Sequence, residues 1–166
     1  MEQKMDFFTC CFIGHKEIDE TEELKTKLCE EIECLIEDEG VDTFLFGSKS
    51  RFDSFCLELV TLLKEKHPHI KRVYVRAEHP IITDEYKSYL LTFYEDTYFP
   101  EAIVGAGRAS YVERNQEMID RSRFCIFYYD GAAVNIRRKS GTKIAFDYAK
   151  SKDKCIINVK SKLSER

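Results

Sequence analysis

Apolar positions along this chain alternate between short continuous runs and stretches of helical period. Residues 7–13, "FFTCCFI", form an apolar run closed by Gly14, and within 18–38 Leu24, Leu28, Ile32, Leu35 and Ile36 recur every three or four positions. The first reads as a strand and the second as a helix. "DTFLFG" (42–47) and "RFDSFCLELVTLLKEK" (51–66) repeat the unit, with Gly47 closing the strand and Phe55, Leu59, Leu62 and Leu63 on one helical face. "KRVYVRA" (71–77) predicts a third strand. The aromatic stretch 85–99 predicts partial helix, Pro100 breaks it, and "GAGRAS" (105–110) predicts a loop. The pattern then gives a helix over "YVERNQEMIDRS", a strand over 123–130, a helix over 141–151 and a last strand over 154–159. Strands that are apolar almost throughout and separated by helices predict an α/β fold: a parallel sheet of about five strands with helices on both faces.

At 166 residues and 43% hydrophobic content, residues 1–166 read as a single domain with a sizeable core. The apolar run before Gly14 is too short for a signal-peptide core or a membrane span, so a cytoplasmic protein with no membrane partner is expected. The chain has seven cysteines, an odd number, with no CxxC spacing. Cys10, Cys11, Cys125 and Cys155 sit in strand-like apolar runs and read as reduced core thiols. His15, His67, His69 and His79 show no ligand spacing, "HPH" reads as a loop, and no metal or cofactor is expected.

Charge is unevenly spread. Residues 17–39 carry eleven acids against Lys25 and Lys27, within a net charge of −4, so the remainder is net positive. The acidic run reads as a solvated helix face and argues against a nucleic-acid groove there. Basic residues gather instead at Arg137, Arg138 and Lys139 and at Arg108, Arg114, Arg121 and Arg123, a distribution suited to a small anion.

In open parallel sheets ligands bind beyond the carboxyl ends of the strands, near the reversal of strand order. Three loops should meet there: "GHK" with Gly14 and His15, "GSKSRFD" with Gly47, Ser48 and Asp53, and "DGAAVNIRRKSGT" ending in Ser140, Gly141 and Thr142. A glycine at a helix N-terminus lets phosphate oxygens approach unpaired N–H groups, and flanking hydroxyls can donate. Ser140 or Thr142 reads equally well as a simple N-cap, and Asp53 as a cap of the helix it opens. "GAG" at 105–107 does not meet the dinucleotide fingerprint.

Four separated blocks, "TCCFIGHK", "FLFGSKSRFD", "YVERNQEMIDRSRFCIFYYD" and "SGTKIAFDYAKSKDKCIINV", resemble the YpsA-like branch of the SLOG superfamily. That superfamily includes the LONELY GUY phosphoribohydrolases and the DNA-processing protein DprA. The resemblance implies a Rossmann-like domain that binds a nucleotide or nucleotide-derived small molecule, as a homodimer or larger homo-oligomer, in sensing, regulation or sequestration of a signal, including bacterial or phage signalling. It also implies that Arg114 contacts phosphate or ribose and that Asn115 bonds ribose or base. LONELY GUY enzymes cut an N-glycosidic bond with a glutamate three positions after the threonine of their glycine-rich motif; that position is Ala145 here. Asp147 lies about 200° further around the helix and does not replace it. Binding without robust hydrolysis, and no catalytic residue, is therefore expected.

Two other readings accompany it. One is a nucleoside 5′-monophosphate phosphoribohydrolase or other N-glycosidic hydrolase using Glu113, Glu117 or Asp130. The other, single-stranded DNA binding, is disfavoured by the net charge and the acidic first helix. Tyr86, Tyr89, Tyr94 and Tyr98 read either as a lid that stacks on a base or as core and subunit contacts.

Overall fold

The first amphipathic stretch forms a helix because its ends are capped as well as its face patterned. In the computed structural model, which describes residues 6–47, 49–133 and 140–164, helix α1 spans Glu22–Glu39. Thr21 accepts the N–H of Leu24 at its start, Glu22 and Glu23 complement the dipole, and Gly40 ends it at φ 72°. The apolar residues named above are all buried, each contributing about 1.5–3 kcal/mol of transfer free energy. The second helix, α2, spans Arg51–Lys66, and Ser50 caps it by accepting the N–H of Asp53. The remaining helices are α3 (Asp84–Leu90), α4 (Arg108–Arg121) and α5 (Gly141–Ser151).

Six strands, β1 (Asp6–Gly14), β2 (Thr43–Phe46), β3 (Lys71–Val75), β4 (Asp96–Tyr98), β5 (Ser122–Tyr128) and β6 (Cys155–Asn158), form one sheet in the order β4-β3-β2-β1-β5-β6. Every pairing is parallel. The fold is thus the expected Rossmann-like α/β fold, with one strand more than the sequence predicts. The added strand, β4, lies inside the aromatic stretch 85–99. It is three residues long and sits at the sheet edge, so it carries no period of its own. Its entry is fixed by Arg72, which pairs with Glu95 through Nε to Oε1 at 3.0 Å and Nη2 to Oε2 at 2.6 Å.

Alternation along β1 divides the core. Cys10 and Phe12 pack with α1 and α2 on one face, while Cys11 and Ile13 pack with Met118 and Ile119 of α4 and Ala145 and Ala149 of α5 on the other. Cys10, Cys11, Cys56 and Cys125 are buried free thiols, whereas Cys155, read as a core thiol, is exposed on edge strand β6. Burial pushes the Cys10 and Cys56 thiols far above their usual range, so they stay protonated. Strand order reverses between β1 and β5, which places the ligand crevice of such sheets at Gly14 and Tyr128. Among the described residues no helix is long and apolar enough to cross a membrane.

Candidate functional site

A cavity of about 880 Å³ opens at the carboxyl ends of β1, β2 and β3, walled by α4 and by the start of α5. Gly14, His15, Gly47, Arg114, Asn115, Ser140, Gly141 and Thr142, all expected at the site, line it together. Ser48 and the basic run Arg137, Arg138 and Lys139 lie outside the described residues.

The three loop glycines have different physical reasons. A Cβ on Gly14 would come 2.3 Å from Phe52, so this glycine serves helix-to-sheet packing. One on Gly47 would stand 2.7 Å from both Arg114 Cδ and Met118 Sδ, so this glycine lets the arginine pass. One on Gly141 would meet no atom of the described residues within 4 Å, and its φ is not positive. Among the described residues neither packing nor backbone conformation asks for glycine at 141, where the surface faces the open cavity.

The peptide of Gly47 is held from both sides. Its N–H donates to Asp53 Oδ2 at 3.0 Å, and its carbonyl accepts from Arg114 Nη1. The N-cap of α2 is Ser50 rather than Asp53, and Asp53 does not line the cavity; it lies buried behind the loop and fixes it. Arg114 is 3% exposed, donates from Nε to Asn115 Oδ1 at 3.2 Å, and lies over the Tyr111 ring. Burial lowers its pKa, opposed by the Asp53 carboxylate nearby. It makes no ion pair with Glu113 or Glu117, its helical neighbours. Glu113 accepts the N–H groups of Val104 and Gly105, and Glu117 accepts the Tyr98 hydroxyl at 2.7 Å and pairs with Arg121 at 3.1 Å.

His15 Nε2 accepts the N–H of Asp130 at 2.9 Å, which assigns the ring proton to Nδ1 in the neutral form. Burial lowers its pKa below the usual histidine value. Ser140 is the N-cap of α5, accepting the N–H of Lys143 at 3.0 Å, and its O–H remains a donor. Thr142 is buried on the first turn.

Tyr74, Arg76, Glu78 and Tyr111 line the cavity without having been read from the sequence as site residues, whereas Arg108 and Tyr86 were named there. Arg76, just past β3, lines it with Tyr74, Tyr86 and Tyr111. Lys16, Lys49 and Arg108 add to the positive side, and Glu78 is the carboxylate that faces them among the described residues. Glu78 accepts the Tyr111 hydroxyl. "YVRAE" at 74–78 carried the signal, as a tyrosine, an arginine and a glutamate at the carboxyl end of a predicted strand. The tyrosines of the aromatic stretch divide: Tyr86 faces the cavity, Tyr94 packs on the core beside Phe46 and Tyr74, Tyr98 is tied to Glu117, and Tyr89 is exposed.

Ala145 is 1% exposed within the apolar layer beneath α5 and does not line the cavity. Asp130 accepts the N–H of Ala132 and lines a separate depression of about 580 Å³ beside the start of α1. Glu33, Glu37 and His67 bring three metal-type ligand atoms within 4.8 Å of one another, where the Lys66 ammonium, 2.7 Å from Glu33 and 3.6 Å from Glu37, competes with a cation for both carboxylates.

No family model matches the chain. It is 30% identical over 150 residues to the protein named "Uncharacterized SPbeta prophage-derived protein YoqJ" of Bacillus subtilis (strain 168), an alignment that covers 76% of this chain and 80% of that relative. With that identity and coverage, the chain belongs to the same family as this prophage-derived protein.

Proposed function

We propose that the protein binds a nucleotide or nucleotide-derived small molecule in the cavity above β1 to β3 and holds it without robust hydrolysis. The observation that carries this reading is the contrast between a chain of net charge −4 and a cavity lined by Lys16, Lys49, Arg76, Arg108 and Arg114 with Glu78 as its carboxylate among the described residues. An electropositive pocket focuses anions, and the rings of Tyr74, Tyr86 and Tyr111 offer faces to a base. The α5 N-terminus, with Gly141 open to the cavity, is a seat for a phosphate. The SLOG-like, YpsA-like resemblance points the same way, and sensing or sequestration of a signal in the cytoplasm, by a homo-oligomer, is the role it suggests.

Cleavage of an N-glycosidic bond needs a carboxylate at the developing oxocarbenium ion or at the attacking water. Glu113 and Glu117 are bonded to structural partners and Asp130 faces another depression. These placements remove the three acids of the hydrolase reading, and Glu78, the carboxylate that does line the cavity, is engaged by the Tyr111 hydroxyl, which supports binding over turnover. The test is mass spectrometry of small molecules released on denaturing the purified protein, followed by calorimetry and base-release assays with the molecule found and with AMP. Binding without released base supports the proposal. Sustained base release that Arg114→Ala abolishes would replace it with the hydrolase reading.

A further inference from the structure

We infer that the cavity has a second anion seat on Arg76, separate from the one at α5, and that its ligand is a nucleotide bearing anionic groups at two separated positions. The inference rests on the nucleotide reading above and narrows it to a class. Arg76 is 8% exposed, yet its guanidinium is held by neutral acceptors: Nε donates to the His79 carbonyl at 3.2 Å and Nη1 to Thr97 Oγ1 at 3.0 Å. Thr97 Oγ1 donates in turn to the Tyr74 carbonyl at 2.8 Å, so the hydroxyl that orients the arginine is itself fixed. The main chain is pinned as well, Arg76 N–H donating to the Tyr98 carbonyl at 2.9 Å. Among the described residues Arg76 makes no ion pair; burial lowers its pKa, opposed by Tyr86, Tyr74 and the Asp96 carboxylate nearby. A largely buried guanidinium with no carboxylate in direct contact is costly unless something else supplies the negative charge, and Arg76 faces the cavity.

Position separates this seat from the first. β3 lies two places from β1 in the sheet, and α5 follows β5 on the far side of β1. At about 4.8 Å per strand the backbone of Arg76 is roughly 10 Å from that of Gly14 and roughly 14 Å from that of β5. This backbone separation is the basis for assigning Arg76 and the α5 N-terminus to two anionic groups rather than one. Tyr74 and Tyr86 stand on the Arg76 side, where a base or sugar would lie between the two charges.

The test is calorimetry of the full chain with AMP, ADP and two probes whose anionic groups are spread, adenosine 3′,5′-bisphosphate and the 5′-phosphorylated dinucleotide pApA. At least one spread probe should bind wild type about ten- to hundredfold more tightly than AMP, as expected of one added charge-assisted contact, while ADP gains less. Arg76→Gln should erase that gain, bringing the spread probe to the affinity of AMP measured on the same variant, and Arg76→Lys should keep part of it. If AMP binds and neither spread probe gains, the second seat is wrong while nucleotide binding stands. If none of the four binds, both readings fall. The wild-type comparison decides between these outcomes even if Arg76→Gln does not fold.

Discussion

Arg114 occupies the space that a side chain on Gly47 would need. A Cβ at residue 47 would lie 2.7 Å from Arg114 Cδ and 2.9 Å from Nε, while Arg114 Nη1 donates to the Gly47 carbonyl. Glycine at the end of β2 and arginine on α4 therefore form one device. Gly47→Ala should force Arg114 and Met118 aside and cost about 1–3 kcal/mol, as overpacking does. Urea denaturation with an unchanged m-value would measure it, and nucleotide affinity should fall in parallel. An unchanged denaturation midpoint would show that the arginine repacks freely.

Arg114 and Arg121 sit on the same helix with different duties. Arg121 pairs with Glu117 and covers the Tyr98 ring at 4.6 Å, away from the cavity. Arg114→Ala should weaken AMP binding by about 1.5–3 kcal/mol, the worth of a hydrogen bond to a charged group. Arg121→Ala should leave affinity unchanged and lower stability. Equal affinity losses in calorimetry would remove the assigned role of Arg114.

The glycines at 14 and 141 differ in what a side chain there would meet. Gly14→Ala drives a methyl into Phe52, buried at 0% exposure, and should destabilise by about 1–3 kcal/mol. Gly141→Val, whose Cβ meets nothing in the described residues, should leave the thermal midpoint nearly unchanged and reduce AMP affinity. If Gly141→Val binds AMP as wild type does, the phosphate seat is not at α5.

His15 sets a pH dependence. Its pKa is lowered in the fold, chiefly by burial, so the unfolded chain takes up a proton at higher pH than the native protein does. Stability then rises with pH across that window and is lost as pH falls below the unfolded value of about 6.5. Protonation at Nε2 also displaces the Asp130 N–H. His15→Gln should flatten the stability profile between roughly pH 7.5 and 5.5 relative to wild type. Denaturation at the two pH values checks it, and parallel profiles would refute the assignment.

How far the sequence could be read depended on whether a feature had a period or a partner. Leu24, Leu28 and Ile32 announce α1 because one face repeats, and "FFTCCFI" announces β1 because both faces are buried. β4 left no such trace: Asp96, Thr97 and Tyr98 are strand only because β3 lies beside them. The glycine-rich loops and Arg114 were legible through local chemistry and family resemblance. Arg76 was not, because its meaning depends on Thr97 and the His79 carbonyl, which the chain brings to it only in three dimensions. Asp53 shows the reverse case. Its place in the first turn of α2 suggested a cap, but Ser50 holds that role and Asp53 turns back to the Gly47 peptide.

Ala145 stands where the LONELY GUY resemblance places a glutamate. A simple exchange, Ala145→Glu, would be expected to test whether that carboxylate alone is missing. The packing argues otherwise: Ala145 is 1% exposed in an apolar layer with Met118, Phe127 and Ala149. A glutamate there must bury an unpaired carboxylate or push α5 off the sheet, and burial of an unpaired charge is one of the mechanisms behind the largest losses, which reach above about 4 kcal/mol. General acid–base groups contribute about 10²–10⁴-fold only within hydrogen-bond reach of the reacting atom, and this position does not line the cavity. Ala145→Glu should therefore lose stability, with a marked drop in thermal midpoint, and release no adenine from AMP. A folded Ala145→Glu variant that releases adenine would show instead that α5 can turn this face to the cavity, and that one side chain separates holding a nucleotide from cutting it.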